Sequence, residues 1–471
     1  ISNNYGGAPS TNEAVLFGTL IGGDPATVMP AVPTGPNTRA ALIPLISSLG
    51  PLDPRDLGEA QVSSDFRPDQ VSSWSLGFER EITKNSAVEV RYVGNHATNL
   101  FQSVNANPFI ADLAAQFPNL IPAGVTPCSS ANAFDGNAVG RVNCNEGIVL
   151  SRNNTGYSNY QGVQTEFRAN NLFHQLTLRA GYTFSKTLDN VSEIFGTGGA
   201  GTTTSLAQNP LNTNSGEYSF SGLDIPNTFT LTLVEQLPFF KEQHGFVGHV
   251  LGGWSMSGSY VWESGQAFTP IMSTFAATVP NGGTANGDFF DANFINQFGS
   301  SPARPFVGSM SAPVDSVGIF AGDACSETGV GCAVAPNQLI SLNAINTNGQ
   351  VVNVTNSQVR YIANTGIAET VFGTPFGNAP RNIGRDAPLN YLNASVTKVV
   401  KFNERASFEF RFSALNAFNH ANFATVDPAV ETAGNNTFGN SFALPQFTGD
   451  SIPGSNLAAS RRFYFGGIFR F

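Results

Sequence analysis

Apolar and polar residues alternate with a period of two in short blocks along the chain, the spacing of strands and not of helices. Trp74, Leu76 and Phe78 alternate with Ser75, Gly77 and Glu79, and after a turn at 83–85 Val88, Val90 and Tyr92 alternate with Glu89 and Arg91. The cleanest block sets Leu176, Leu178, Ala180, Tyr182 and Phe184 against Thr177, Arg179, Thr183 and Ser185. Further blocks put Phe229, Leu231 and Leu233, then Trp254, Met256, Tyr260 and Trp262, then Phe408, Phe410 and Phe412 on one side. In the last block Phe463, Phe465, Phe469 and Phe471 face one way and Arg462, Tyr464, Ile468 and Arg470 the other. The pattern predicts strands near 73–82, 87–100, 157–169, 174–186, 227–237, 253–264, 390–402, 405–418 and 461–471.

The connections alternate short and long. Residues 83–85, 170–171 and 403–404 make short turns, whereas 101–154, the stretch up to Pro226 and 265–388 are long. Outer-membrane barrels sort their connections this way, with short periplasmic turns and long extracellular loops, whereas a β-sandwich has no reason to. The expected fold is therefore all-β: about nine antiparallel strands of an outer-membrane-type barrel, a partial one because closed barrels favour even counts. Residues 1–70, punctuated by Pro25, Pro30, Pro33, Pro36, Pro44, Pro51 and Pro54, read as a Pro/Gly-rich loop segment with one short helix, and 71–471 as barrel strands and loops. Asn348-Gly349 predicts a local hairpin between Leu342 and Val354 inside the longest loop. In a barrel, Trp74, Trp254, Trp262, Phe408, Phe410, Phe412, Phe463, Phe465, Phe469 and Phe471 would face lipid or a partner. Glu79, Glu89, Arg91, Glu166, Arg168, Arg179, Glu409 and Arg411 would line the lumen and pair across strands. A soluble sandwich would instead bury the tryptophans and Phe ladders between two sheets.

Composition narrows the function classes. Charged residues make up 12%, net charge is −10, and no basic block occurs, so the electrostatic footprint of a nucleic-acid binder is missing. No apolar run reaches the ~18 residues of a membrane helix, and Ile1-Ser2-Asn3-Asn4 carries no basic and apolar leader. The four cysteines form two close pairs, Cys128 with Cys144 and Cys325 with Cys332, which predicts loop disulfides facing an oxidising space and not zinc ligands. Gly196, Gly198 and Gly201 match a phosphate-loop spacing, but Thr202 to Thr204 and Pro210 leave no helix to follow it. Asp288, Asn293 and Asp323 sit in oxygen-rich turns without the ligand spacing of a calcium loop. The five histidines are scattered, and no serine elbow, HExxH or CxxC occurs, so no enzyme activity, cofactor or metal is expected.

Several segments together resemble a known family: SSWSLGFEREI from Ser72, VEVRYVGN from Val88, YTFSKTLDN from Tyr182, GGWSMSGSYVWESGQAFT from Gly252, FGNAPRNIGRDAP from Phe376 and FEFRFSALNAFNHANF from Phe408. The set resembles the C-terminal barrel half of Oar-like TonB-dependent receptors, outer-membrane proteins of Acidobacteria and Myxobacteria. The resemblance covers most of 65–471 and implies a barrel of 22 strands preceded by a carboxypeptidase-like regulatory domain, a TonB-contacting segment and a plug, none of which maps onto this chain. The implied partners are outer-membrane lipid and the N-terminal half of the receptor; no nucleic acid is implied. The alternative is a proteolytically released extracellular fragment whose unpaired strand edges join copies of itself into a β-rich filament.

Overall fold

The computed structural model describes residues 59–147, 149–172, 175–192, 206–271, 303–313, 316–321, 340–345, 351–364, 366–403, 405–422 and 461–471. In chain order the first strands are β1 (Glu59–Val62), β2 (Gln70–Thr83) and β3 (Ser86–Asn105), followed by helix α1 (Ala111–Gln116). Then come β4 (Val149–Leu172), β5 (Leu176–Asp189), β6 (Ser219–Phe220), β7 (Asn227–Gln236), helix α2 (Gly245–Leu251), β8 (Trp254–Glu263) and β9 (Ala267–Phe268). Short strands follow: β10 (Phe306–Val307), β11 (Val317–Phe320), β12 (Leu342–Ile345), β13 (Val351–Val354) and β14 (Tyr361–Ile362), then helix α3 (Gly366–Phe372) and β15 (Gly384–Arg385). The described chain closes with β16 (Leu389–Lys401), β17 (Ser407–Leu415) and β18 (Arg462–Arg470).

The nine long strands form one sheet in the order β18-β17-β16-β8-β7-β5-β4-β3-β2, each antiparallel to its neighbours. This wall is a meander, and β2 and β18 are its edges: they do not pair with each other, so the barrel is not closed. Side chains set the short turns. Asn403 Oδ1 accepts the N–H of Arg405 at 2.9 Å and of Ala406 at 2.7 Å, an Asx turn that reverses β16 into β17. Asn171, at φ 54°, supplies the left-handed residue near the end of β4.

Several strands run further than their hydrophobic alternation. The stretch 101–154, expected as loop throughout, holds the end of β3 up to Asn105 and the start of β4 at Val149. Gln102↔Asn153 and Ser103↔Arg152 continue the ladder there with polar side chains on both faces. Alternation reports a one-sided apolar environment, whereas a backbone ladder needs only a partner strand, so the pattern stops before the strand does. Within the segment expected as loop up to residue 70, β1 pairs in parallel with β4 and β2 already begins at Gln70; residues 1–58 lie outside the described residues. At the other boundaries β5 starts at Leu176 and runs on to Asp189, and β17 stops at Leu415, before Asn416 with φ 47°.

Among the described residues the stretch between β8 and β16 holds short strands only, yet it is not featureless. Its short strands form a five-stranded sheet in the order β10-β14-β11-β12-β13, covered by α3. Leu342↔Val354 and Ile345↔Val351 pair as the predicted hairpin, its turn lying outside the described residues. This cap has its own interior: Ala303, Val317, Ile319, Tyr361 and Ala363 on one side of the sheet, Phe306, Phe320, Val359, Ile362 and Ala368 on the other.

Candidate functional site

The wall has two faces of opposite chemistry, and the pairing register aligns them across all nine strands. Trp74 opposes Gly94, Leu76 opposes Tyr92 and Phe78 opposes Val90; Tyr92 opposes Val163, which opposes Phe184. The same face continues through Tyr182↔Phe229, Phe229↔Trp262, Leu231↔Tyr260, Met256↔Val396 and Val396↔Phe412 to Phe412↔Phe465 and Phe408↔Phe469. All ten aromatics singled out from sequence belong to this parity. Phe465 is 70% exposed and Phe471 96%, while Trp254, Trp262 and Phe412 are half-buried among neighbours. At the β17–β18 edge the rings pack on one another, with Phe412 5.5 Å from Phe463 and 5.2 Å from Phe465, and Phe469 6.1 Å from Phe471. Trp74 lies flat against Gly94, where any Cβ would strike the indole, and Phe408 covers Gly467.

The opposite face carries the paired charges. Arg168 reaches Glu89 at 2.6 Å and Glu166 at 2.9 Å, and Arg179 grips both oxygens of Glu166 at 2.7 and 3.1 Å, so β3, β4 and β5 are stitched together, with Arg91 also bonded to Glu89. Glu79 of β2 stands 4.0 Å from Arg168. At the other edge Glu409 accepts from Arg411 at 3.0 Å and from Arg470 at 2.8 Å. The arginines of these pairs are exposed to solvent while Glu89, Glu166 and Glu409 lie beneath them, and each pair contributes about 1 kcal/mol.

At the long-loop end a third arrangement appears, assembled from distant segments. Arg381 is 1% exposed; it donates to Asp189 Oδ1 at 3.1 Å, to the Glu217 carbonyl at 2.9 Å and to Ser192 at 2.8 Å. Arg304, equally buried, forms a two-point bond with Glu217 at 2.9 and 3.0 Å, and Arg385 pairs with Asp224. Asn382 adds bonds to Phe220 O at 2.7 Å and to Thr269 at 3.0 Å. Burial pushes the Arg381 pKa down, and the carboxylates of Asp189 and Glu217 offset part of that shift. The cluster fastens the cap to the end of β5. A cleft of about 500 Å³ opens beside the Arg304–Glu217 pair, lined by Gln208, Asn209, Ser215, Thr374 and Asn378 among others. Sequence reasoning assigned these residues only to loops and quoted motifs. The available signal was charge scarcity: Arg381, Arg385 and Asp386 cluster in a chain only 12% charged.

Cys128 and Cys144 form a disulfide with Cα atoms 5.3 Å apart, in a loop organised around Asn107. The fully buried Asn107 amide donates to the carbonyls of Glu146 at 2.8 Å and Gly147 at 2.9 Å, and its Oδ1 accepts from Asn143 N at 2.7 Å. Cys325 and Cys332, the glycines 196, 198 and 201, and the turns at Asp288, Asn293 and Asp323 lie outside the described residues. Among the described residues no group of three or more His, Cys, Asp or Glu side chains is placed to hold a metal ion, and no helix is long and apolar enough to cross a membrane.

A strand wall apolar on one side, charged on the other and sorted by connection length has the architecture of a membrane barrel. A family model described as an outer membrane beta barrel domain matches residues 7–446. The chain belongs to this family. Membership of the outer membrane beta barrel domain family points to the bacterial outer membrane as its location. The outer membrane transporter YddB from Escherichia coli overlays 88% of this chain and 34% of its own, at 8% identity and TM-score 0.34. The FrpB iron transporter from Neisseria meningitidis overlays 88% and 33%, at 9% identity and TM-score 0.32. The toluene transporter TodX from P. putida overlays 73% and 53%, at 9% identity and TM-score 0.19. The chain thus spans about a third of the length of the first two structures. Comparison with curated proteins gives no match.

Proposed function

We propose that this chain is the C-terminal barrel part of a TonB-dependent outer-membrane receptor of the Oar-like type. The observation that carries the reading is the single register that keeps the ten aromatics singled out from sequence on one face and every stitched charge on the other across the nine-stranded wall. On this reading the aromatic face meets lipid and the charged face the lumen. The short turns lie in the periplasm, and the long loops with the cap face the medium. Strands from the N-terminal half of the receptor pair with β2 and β18, whose residues are exposed on both faces, because lipid does not tolerate open sheet edges. The polar cleft beside Arg304 then belongs to the surface that meets incoming solute. No observation favours the extracellular filament.

The test is the native mass of the chain taken from cells in detergent, with the accompanying sequence identified from its peptides. The expected result is recovery from the outer-membrane fraction at a mass well above 49.7 kDa, together with plug and early-strand sequence. Recovery as a lone chain from cell-free medium would overturn the proposal.

A further inference from the structure

One piece of the wall's short-turn end is built to leave the sheet on its aromatic side. The connection between β7 and β8 carries α2, and Phe246, Val247, Val250 and Leu251 share one side of that helix by their spacing of one, three and four residues. In a water-soluble protein that side would pack inward. Here it points away from the protein: Phe246 is 84% exposed, and Val247, Val250 and Leu251, with Phe239 and Phe240 just before them, are all about half exposed or more. What faces inward is Gly248, buried against the backbone of Gln243.

The placement is specified by named contacts. Trp254 and Lys398 oppose each other on the aromatic face of the wall. Trp254 Nε1 donates to Val250 O at 2.9 Å, and the Lys398 ammonium donates to His249 O at 2.6 Å and to Gly252 O while lying 5.2 Å over the Trp254 ring. Two outward-pointing side chains thus hold the C-terminal carbonyls of α2, which puts the helix outside the wall and not under the lumen. Gln243, 4% exposed, locks the other end: its amide donates to Val399 O at 2.8 Å and accepts from Lys401 N at 3.0 Å, standing in for a missing ladder partner of β16. A Cβ at Gly252 would collide with the Phe240 carbonyl oxygen. Next to this foot, Phe402 is 62% exposed.

We propose that α2 with Phe239 and Phe240 is an interfacial foot that inserts among phospholipid acyl chains at the periplasmic leaflet. The proposal rests on the membrane reading above. Its occupant follows from continuity: the apolar side of α2 extends the same face that carries Trp254, Val396 and Phe410, so the solvent of that face is the solvent of the foot. Lys398 has the matching role, its stem along apolar surface and its ammonium drawn to the interface.

The test uses the chain extracted from outer membranes and reconstituted in vesicles of phosphatidylethanolamine with phosphatidylglycerol. A thiol-reactive fluorophore is placed at Phe246→Cys or, as the wall control, at Phe410→Cys, with the unmodified chain giving the background from native cysteines. Both positions are exposed, so neither substitution removes a buried contact. Nitroxide-bearing lipids should quench the Phe246→Cys probe about twofold more from a position near the headgroup than from the chain end, and should also quench Phe410→Cys, the neighbour of Lys398 on the wall. A Phe246→Cys probe quenched by aqueous iodide and by neither lipid, while Phe410→Cys remains lipid-quenched, overturns the foot and leaves the membrane reading standing. Shielding of Phe246→Cys from both iodide and lipid means that protein covers the foot, which also overturns the proposal. Loss of lipid quenching at both positions removes the membrane reading itself.

Discussion

The wall and the cap are made from one chain and bury opposite things. In the cap Phe306, Val317 and Ile319 are at most 2% exposed, packed in apolar clusters on the two sides of the sheet, as in any small protein in water. In the wall Leu76 is 77% exposed and Phe465 70%, while Glu409 across the sheet is buried in its ion pairs. Burial follows the solvent each part was built for. The cap is held by a core and a few buried charges, the wall by a ladder whose apolar side is left uncovered by the described residues.

The largest expected effect separates the two regions. Replacing Arg381 with Ala leaves Asp189 and Glu217 uncompensated in the interior, a loss of about 3–5 kcal/mol. Hydrogen exchange should accelerate across β10 to β14 while β16 and β17 stay protected; equal loosening of both would show that wall and cap are one cooperative unit. Charge on the aromatic face comes next. Leu231→Arg, mid-strand on that face, should cost about 2–4 kcal/mol of folding into vesicles, against less than about 1 for Thr230→Arg on the other face. Equal tolerance on both faces would refute the two-faced wall.

A third prediction concerns pH and the cap alone. Burial pushes the Tyr361 phenol up to about 12, so folding favours the neutral form. Its stabilising contribution is whole below the ordinary tyrosine value near 10 and is lost as pH rises through about 12, some 2–3 kcal/mol in all. Thermal melts of the cap should fall over that window, and Tyr361→Phe should flatten the fall. The smallest effect belongs to the lumen-side stitching: Arg179→Ala should change stability by no more than about 1 kcal/mol, and less at high salt. A larger loss would mean that the Glu166 cluster is more desolvated than its exposure implies.

The wall was legible in sequence because its large apolar side chains keep to one face over most of the ladder, which leaves a period of two. Trp254, Met256, Tyr260 and Trp262 announce both a strand and its orientation. Extensions such as Gln102 and Ser103 were hidden because both of their faces are polar. The cap was hidden for the opposite reason. β11 is four residues long and buried on both sides, so it has no alternation to read, and apart from the Leu342–Val354 hairpin its strands carry no turn signal. The cluster that fastens it joins Arg381 to Asp189 across 192 positions of chain, a proximity that no local pattern encodes. Scarce charge within the PRNIGRD segment was the one clue, and it points to a residue type without naming its partner.

The uneven strand lengths have a mechanical consequence. About ten tilted residues cross the hydrocarbon, yet β4 has 24, so its hairpin with β3 overshoots the lipid by roughly 30 Å. It is a mast. If the proposed orientation holds, large bodies approaching from the medium would touch the disulfide-pinned loop between β3 and β4 well before they reached the bilayer, and the first part of this protein to be recognised would be the part farthest from the membrane.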